Sequence, residues 1–459
     1  MKFKFFLFFL LASCSVKEQP KDTLFVVLDS RPQTLDPRKA TSANGMRLIG
    51  LIFNSFVKQG NQGELKPDLA LSWKLDNLTW IFTLKPNLKF SNGRSVLKED
   101  ILFSFEEFQK KSSSFYSAFK NIKSVEVLNK EDSNTTQFIV KIHLKSFQAP
   151  FIYSDLPVLK ILPKNEILKA ERDFNKYPIG TGNWTVVKND FRQILLKRKT
   201  ENKDLKSSCL NCNLMDQAIS YNLKSVEGTY QKESKSVNWN SIRMISFNII
   251  RDSLTRTQKM LSKEMDIAPS VIPLDKISQF KKKNQDFKVF SSTGFSTTYL
   301  LINLKNNFFK NKKLRYALSL AINREEIIKY KLYGYASPAL SFINPNSYFF
   351  NKNLKSFEFN LSKASSLIEQ MNLKNLELRL SCSNNSSTVS KARVLASQIS
   401  KAGLKISLQT NEWGAFYKDV GRGSFDLALM KWVGVVDPDI YRIAFHSENQ
   451  APQGRDRGL

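Results

Sequence analysis

Few residues in this chain can do bond chemistry, and their spacing narrows the choice further. The 459 residues include two histidines, His143 and His446, and four cysteines, Cys14, Cys209, Cys212 and Cys382. Cys209-Leu210-Asn211-Cys212 has C-x-x-C spacing, but a metal site needs a second ligand pair. Cys382 stands alone and the histidines are far apart in sequence, so no metal site is expected. A redox role would need a thioredoxin-like context, which the flanking residues lack; that leaves a small loop disulfide or incidental thiols. The sequence has no G-x-S-x-G elbow, no H-E-x-x-H and no Gly-rich phosphate loop with its lysine, and Gly180-Thr181-Gly182 lacks the third glycine of a dinucleotide fingerprint. With so few players for acid–base, nucleophilic or metal chemistry, the chain reads as a non-enzyme without a cofactor.

Cys14 has a different use. Lys2 and Lys4 precede an apolar run, Phe5 to Leu11, which ends in Leu11-Ala12-Ser13-Cys14. A basic n-region followed by an apolar stretch too short to span a bilayer is a secretory signal. Cleavage before Cys14 would leave that thiol at a new N-terminus, where lipid can tether a water-soluble body to a membrane. The expected location is periplasmic or cell-surface, lipid-anchored, and no later stretch approaches the ~20 apolar residues of a membrane helix.

Positioning the rest requires packed domains. At roughly 150 residues each, the length suggests about three, and 42% apolar with 12% aromatic content supports well-filled cores. The net charge of +29 falls to +27 once Lys2 and Lys4 leave with the signal. Such a field favours anionic partners. The lysines are nevertheless spread along the whole chain, which reads as a diffuse solvated coat, and an exported protein is not expected to partner nucleic acid.

Periodicity supplies the elements. Leu24 to Leu28 reads as a strand and Arg47 to Val57 as a helix. Trp73, Leu75, Trp80, Phe82 and Leu84 alternate about Asp76-Asn77 as a half-buried hairpin. Ile101, Phe105 and Phe108 recur at helical spacing behind Glu99 and Asp100, which sit at the positive end of the helix dipole. Leu314, Ala317, Leu318 and Ala321 line one helix, and Asn323 caps the next. Leu361, Ala364, Leu367 and Met371 form another stripe. Ala392, Leu395, Ala396, Ile399 and Ala402 form a fourth, stopped by Gly403, with Leu404, Ile406 and Leu408 following as a strand. Ser381 to Ser387 reads as a low-complexity linker. The pattern points to mixed α/β architecture.

Several segments, in order, resemble the family 5 extracellular solute-binding proteins, the oligopeptide- and dipeptide-binding components of ABC importers. They are Leu35-Asp36-Pro37; Leu65 to Phe105, with its P-x-L-A-x-S-W, W-x-F-x-L-K-P, K-F-x-x-G and E-D stretches; Pro178-Ile179-Gly180-Thr181-Gly182; and Tyr299 to Glu326. Glu412-Trp413 and Phe425-Asp426-Leu427-Ala428, leading to Trp432 and Asp437-Pro438-Asp439, agree as well. The resemblance runs from about Thr23 to the end.

The resemblance implies a two-lobed α/β periplasmic-binding-protein fold, type II and cluster C-like, with an extra inserted domain and a central ligand cleft. It would divide the chain into a signal peptide (1–13), a lipid-anchored linker (14–20), domain I (21–62 and 176–268), an inserted domain II (63–175) and domain III (269–459), with the family's C-terminal return to domain I missing. The implied function is capture of oligopeptides by lobe closure for an ABC permease, the protein being a monomer by family default. Carried over by position, the cleft-lining residues are Thr41, Ser42, Ala43, Trp413, Lys431, Trp432, Gly434, Val435 and Asp437, whereas Gly180-Thr181-Gly182 serves backbone geometry through positive φ. Peptide binders of the family commonly carry Trp-x-x-Asp, whose aspartate pairs with the ligand's ammonium. Here Val435 holds that position. Either Asp437 takes the role, or the ligand is amine-blocked or not a peptide. A sensor or adhesin without transport is the other binding alternative.

Overall fold

The computed structural model describes residues 20–60, 64–132, 135–148, 151–169, 173–199, 241–291, 294, 296–345, 347, 349–433, 435 and 438–446. The signal segment with Cys14, the Cys209 and Cys212 pair, Gly434, Asp437 and the final residues lie outside them.

Strand β1 (Thr23–Leu28) leads through a turn-rich stretch into helix α1 (Ala43–Ile52). The helix starts earlier than its apolar periodicity suggests, because the Ser42 side chain accepts from the Gly45 N–H at 3.1 Å and caps it. It also ends sooner: Phe53 is extended, and Val57 opens β2 (Val57–Gln59), paired antiparallel with β3 (Leu65–Pro67).

The next sheet holds β4 (Ala70–Asp76), β5 (Thr79–Leu84), β6 (Ile122–Asp132) and β7 (Thr135–Leu144) in the order β4-β5-β7-β6, backed by helix α2 (Lys98–Phe108). The hairpin turns at Asn77, whose φ is +52°, a value asparagine tolerates better than most residues. Its burial is uneven. Phe82 and Leu84 are fully buried on central β5, whereas Leu75 stays exposed on β4, at the sheet's edge.

Strands β8 (Trp184–Asn189), β9 (Gln193–Arg198) and β10 (Met244–Ile249) return to β1, giving the order β1-β10-β9-β8 with β1 and β10 parallel. One apolar core runs without a break from Leu24 and Val26 through Phe56 to Phe82 and Phe105. Phe56 is its junction, edge-on to Phe82 at 5.3 Å and to Phe105 at 5.7 Å between ring centroids. An apolar interface of this kind holds the two sheets as one N-terminal body. Helix α3 (Ser253–Leu261) extends it. Its buried Arg256 donates to the carbonyls of Val271, Ile250 and Arg251, each at 2.8 Å.

The C-terminal body is built on β11 (Ser296–Ile302), helices α4 (Lys312–Ala321), α5 (Arg324–Lys331) and α6 (Leu361–Gln370), β12 (Glu377–Ser383), α7 (Ser386–Lys401), β13 (Lys405–Asn411), α8 (Trp413–Arg422), β14 (Leu427–Val433) and α9 (Asp439–Phe445). The strand order is β11-β14-β12-β13, with β12 parallel to both neighbours and β11 antiparallel to β14. Both faces of β14 are covered. Leu427 and Leu429 pack with Leu314, Ile368 and Ile399, while Ala428 and Met430 pack with Phe416 and Val420. Ser381 to Ser387 is not a linker: Ser381 is 5% exposed within β12, and Asn385 caps α7 by accepting from Ser387 and Thr388. Gly403, at φ +107°, stops the helix as its position implies.

The glycines of Gly180-Thr181-Gly182 serve a purpose other than positive φ, since neither adopts it. A Cβ at Gly182 would lie 2.5 Å from the Leu51 carbonyl oxygen, and one at Gly180 still closer to that of Ile52. Gly182 N–H donates to Ile52 O at 2.8 Å, and Thr181 Oγ1 accepts from Asn54 N at 3.1 Å. The segment is pressed onto the end of α1, and only glycine admits that approach.

Beside it, Lys160 Nζ donates to Ser55 Oγ and to Pro157 O at 3.0 Å. Burial pushes its pKa down to about 8, opposed in part by Asp68. Between that value and the ordinary lysine value near ~10.4 the unfolded chain holds a proton that the folded one does not, so stability rises with pH across this window. We expect Lys160→Met to gain on wild type most at pH 7 and least at pH 10 in thermal denaturation. A difference independent of pH would show that the group is not desolvated.

Candidate functional site

Three strands of the C-terminal sheet, β12, β13 and β14, run in the same direction. After β12 the chain enters α7 on the Leu427 face, and after β13 it enters α8 on the Ala428 face. Strand ends from which the chain departs to opposite faces leave a crevice, where ligands of open α/β sheets bind. Lys431 and Trp432 end β14 at this edge, and Trp413 begins α8 there.

Side-chain parity sorts them. Lys431 follows Leu427 and Leu429 on the α7 side, and α7 contributes Lys391, whose pKa is lowered by burial and then by the Lys431 charge. Trp413 is partly buried on the other side, its ring 5.9 Å from Phe416 and 5.6 Å from Tyr417. Trp432 packs against the cluster of Ile343, Val435 and Ile440, in which Val435 is only 4% exposed.

The N-terminal body faces this edge. A Cβ at Gly414 would lie 3.1 Å from Gln33 Nε2, so the turn after β1 reaches the start of α8. On α1, Ala43 and Arg47 stand one turn apart on the exposed side, with Thr41 exposed just before the Ser42 cap. Arg47 Nη1 donates to Asn44 Oδ1 at 2.7 Å, and buried Asn44 donates onward to Asp29 Oδ1 and Ser30 O, each at 3.0 Å. That chain of bonds aims the guanidinium.

Burial and then the charge of Arg47 lower the Lys431 pKa, so the two cations approach each other across the gap between the bodies. Arg47 is likewise lowered by burial, against the favourable field of Asp29. Both side chains remain solvent-exposed.

Asp36, of the early Leu-Asp-Pro stretch, takes no part in this wall. It is 1% exposed, pairs with Arg38 at 2.7 Å and, through Arg38, reaches Glu107 of α2.

A family model for bacterial extracellular solute-binding proteins, family 5, matches residues 64–453. The chain belongs to that family. Among similar family 5 proteins, the nickel-binding periplasmic protein of Escherichia coli (strain K12) is 25% identical, over 90% of this chain and 76% of its own length. The dipeptide-binding protein of the same strain is 24% identical, over 94% and 80%. The ABC transporter-associated periplasmic binding protein DppA of Helicobacter pylori, solved with a peptide, superposes with a TM-score of 0.74 at 22% identity, covering 92% of this chain and 80% of that one. The family 5 fold is the two-lobed, mixed α/β type II periplasmic-binding-protein fold, and its relatives are solute-binding transport proteins rather than enzymes.

Among the described residues no group of three or more His, Cys, Asp and Glu side chains could hold a metal ion. Of the positions carried over from the family pattern, Lys431 and Trp413 stand at this strand-end edge, Thr41 and Ala43 are exposed at the start of α1, and Val435 packs into an apolar cluster. Arg47, Lys391 and Gln33 were not anticipated. Arg47 was within reach, one helical turn from Ala43; the other two carried no distinguishing signal.

Proposed function

We propose that this family 5 protein is the lipid-anchored receptor of an ABC importer, held to the membrane through Cys14 and capturing oligopeptides as the two bodies close around them. The observation that carries the reading is the approach of the N-terminal body, through Gln33 of the turn after β1, to the start of α8 at the strand-end edge that holds Lys431 and Trp413. Closure there would remove a ligand from water and present a distinct shape to a permease. Thr41, Ser42 and Ala43 would hold the peptide backbone, and Trp413 and Trp432 would supply flat walls that tolerate different side chains. Domain I with its insertion would move against domain III.

A second reading, a ligand without a free amine, draws support from Val435. Its place among Ile343 and Ile440 leaves no carboxylate at the position where peptide binders of the family carry one.

Native mass spectrometry of the purified protein, followed by sequencing of released ligands, tests both. A ladder of short peptides with free N-termini is the expected result. One non-peptide mass, or peptides blocked at the amine, would replace it with the second reading.

A further inference from the structure

Resting on the receptor reading, we infer that the cleft selects a solute bearing at least two carboxylates, held between Arg47 on one lobe and Lys391 and Lys431 on the other. Parity along β14 places Lys431 on the α7 side with Lys391, and the strand end places both at the crevice. Arg47 arrives from α1, aimed by Asn44. Among the described residues, Asp29 beside Arg47 is the carboxylate whose field reaches this trio, so there it offsets one positive charge and leaves two.

Like charges gathered in a concavity repel, and the repulsion grows as water leaves on closure. An empty, closed cleft is therefore disfavoured. A neutral solute would leave the repulsion in place, and a cationic one would deepen it. A dianion converts three mutually repelling groups into charge-assisted hydrogen bonds, so closure becomes favourable only around it. The cations thus serve as a gate on closure as well as a source of affinity. The remaining lysine coat cannot do this, because exposed charges more than about 8 Å away are screened at physiological salt.

The test is isothermal titration of the purified protein at 150 mM salt with triglutamate, N-acetyl-triglutamate, trialanine, trilysine and tricarballylate. Triglutamate is expected to bind 10- to 100-fold more tightly than trialanine, with trilysine unbound. Lys431→Met and Arg47→Met should each reduce the triglutamate preference about tenfold. Lys374→Met, on an exposed surface lysine whose ammonium pairs with Glu369, should leave it intact. Both cleft positions are solvent-exposed, and a far-ultraviolet circular dichroism melt checks that the variants fold.

Equal affinity for triglutamate and trialanine would overturn the inference while leaving a peptide receptor standing. Tight binding of tricarballylate with no binding of any peptide would uphold the inference and overturn the peptide reading. An equal loss in Lys374→Met would assign the preference to the coat and overturn the inference.

Discussion

Adding a single methyl group at Gly180 is expected to destabilise the protein by about 3 kcal/mol or more, at the top of the range for overpacking. The new Cβ would overlap the Ile52 carbonyl oxygen, and the nearest atoms around it include backbone, which cannot rotate aside as a side chain can. Gly182→Ala should act similarly, with Leu51 and Ile52 as the obstacles. In a chain of this size the expected fall in thermal midpoint is roughly 3 °C. Gly421→Ala is the matched control. It lies inside α8, where nothing stands within 4 Å of an added Cβ, so alanine should be neutral or stabilise by about 0.5 kcal/mol through helix propensity. Equal melting of Gly180→Ala and wild type would mean that the two segments are not in contact.

Asp100→Ala should be comparably damaging, at about 3–5 kcal/mol. Asp100 is 1% exposed and serves three partners. Oδ2 accepts from Leu97 N at 2.8 Å, closing the start of α2, and Oδ1 accepts from Lys164 N at 2.9 Å. Both oxygens take Arg94, at 2.8 and 2.9 Å. Removing the carboxylate strands two backbone donors, each costing about 1–3 kcal/mol, and leaves the guanidinium to Glu166 and the Ser95 carbonyl. Glu166→Ala is the milder change, since that carboxylate is 20% exposed and its backbone bond is to its own N–H. Urea unfolding of the two variants should rank them in that order. The reverse order would mean that the Arg94 pair, not the backbone donors, is what Asp100 supplies.

The parts of the fold that were legible from residues alone are those where local signals agree. Asn323 before Arg324, and Gly403 between an apolar stripe and an alternating run, mark boundaries that the backbone respects. The start of α1 was not legible, because Asn44 and Gly45 break its stripe; both are buried for tertiary reasons, Asn44 to hold Asp29 and Ser30. The end of α1 was hidden for a related reason: the Ile52 carbonyl is taken by Gly182, far along the chain. Ser381 to Ser387 misleads because composition does not register that Ser381 pairs with Ala428 and Gln409 in the sheet.

The outline of the candidate site, Thr41 to Ala43 and Lys431, was available from the resemblance. Its character was not. Among 70 basic residues, no local feature distinguishes Arg47 or Lys391 from the coat, since what distinguishes them is which surfaces meet.

The contact between Gly182 and the end of α1 bears on how a solute-binding protein of this family can change its ligand over generations. The helix is fastened along its inner side by Leu48, Ile49 and Ile52 and at its tail by the glycine segment, while Ala43 and Arg47 look outward, Arg47 bonded only to the neighbouring Asn44 side chain among the described contacts. Mutation can therefore exchange those two side chains without disturbing the frame that aims them. A lineage that fixes the backbone so firmly leaves its ligand preference open to single, nearly neutral steps.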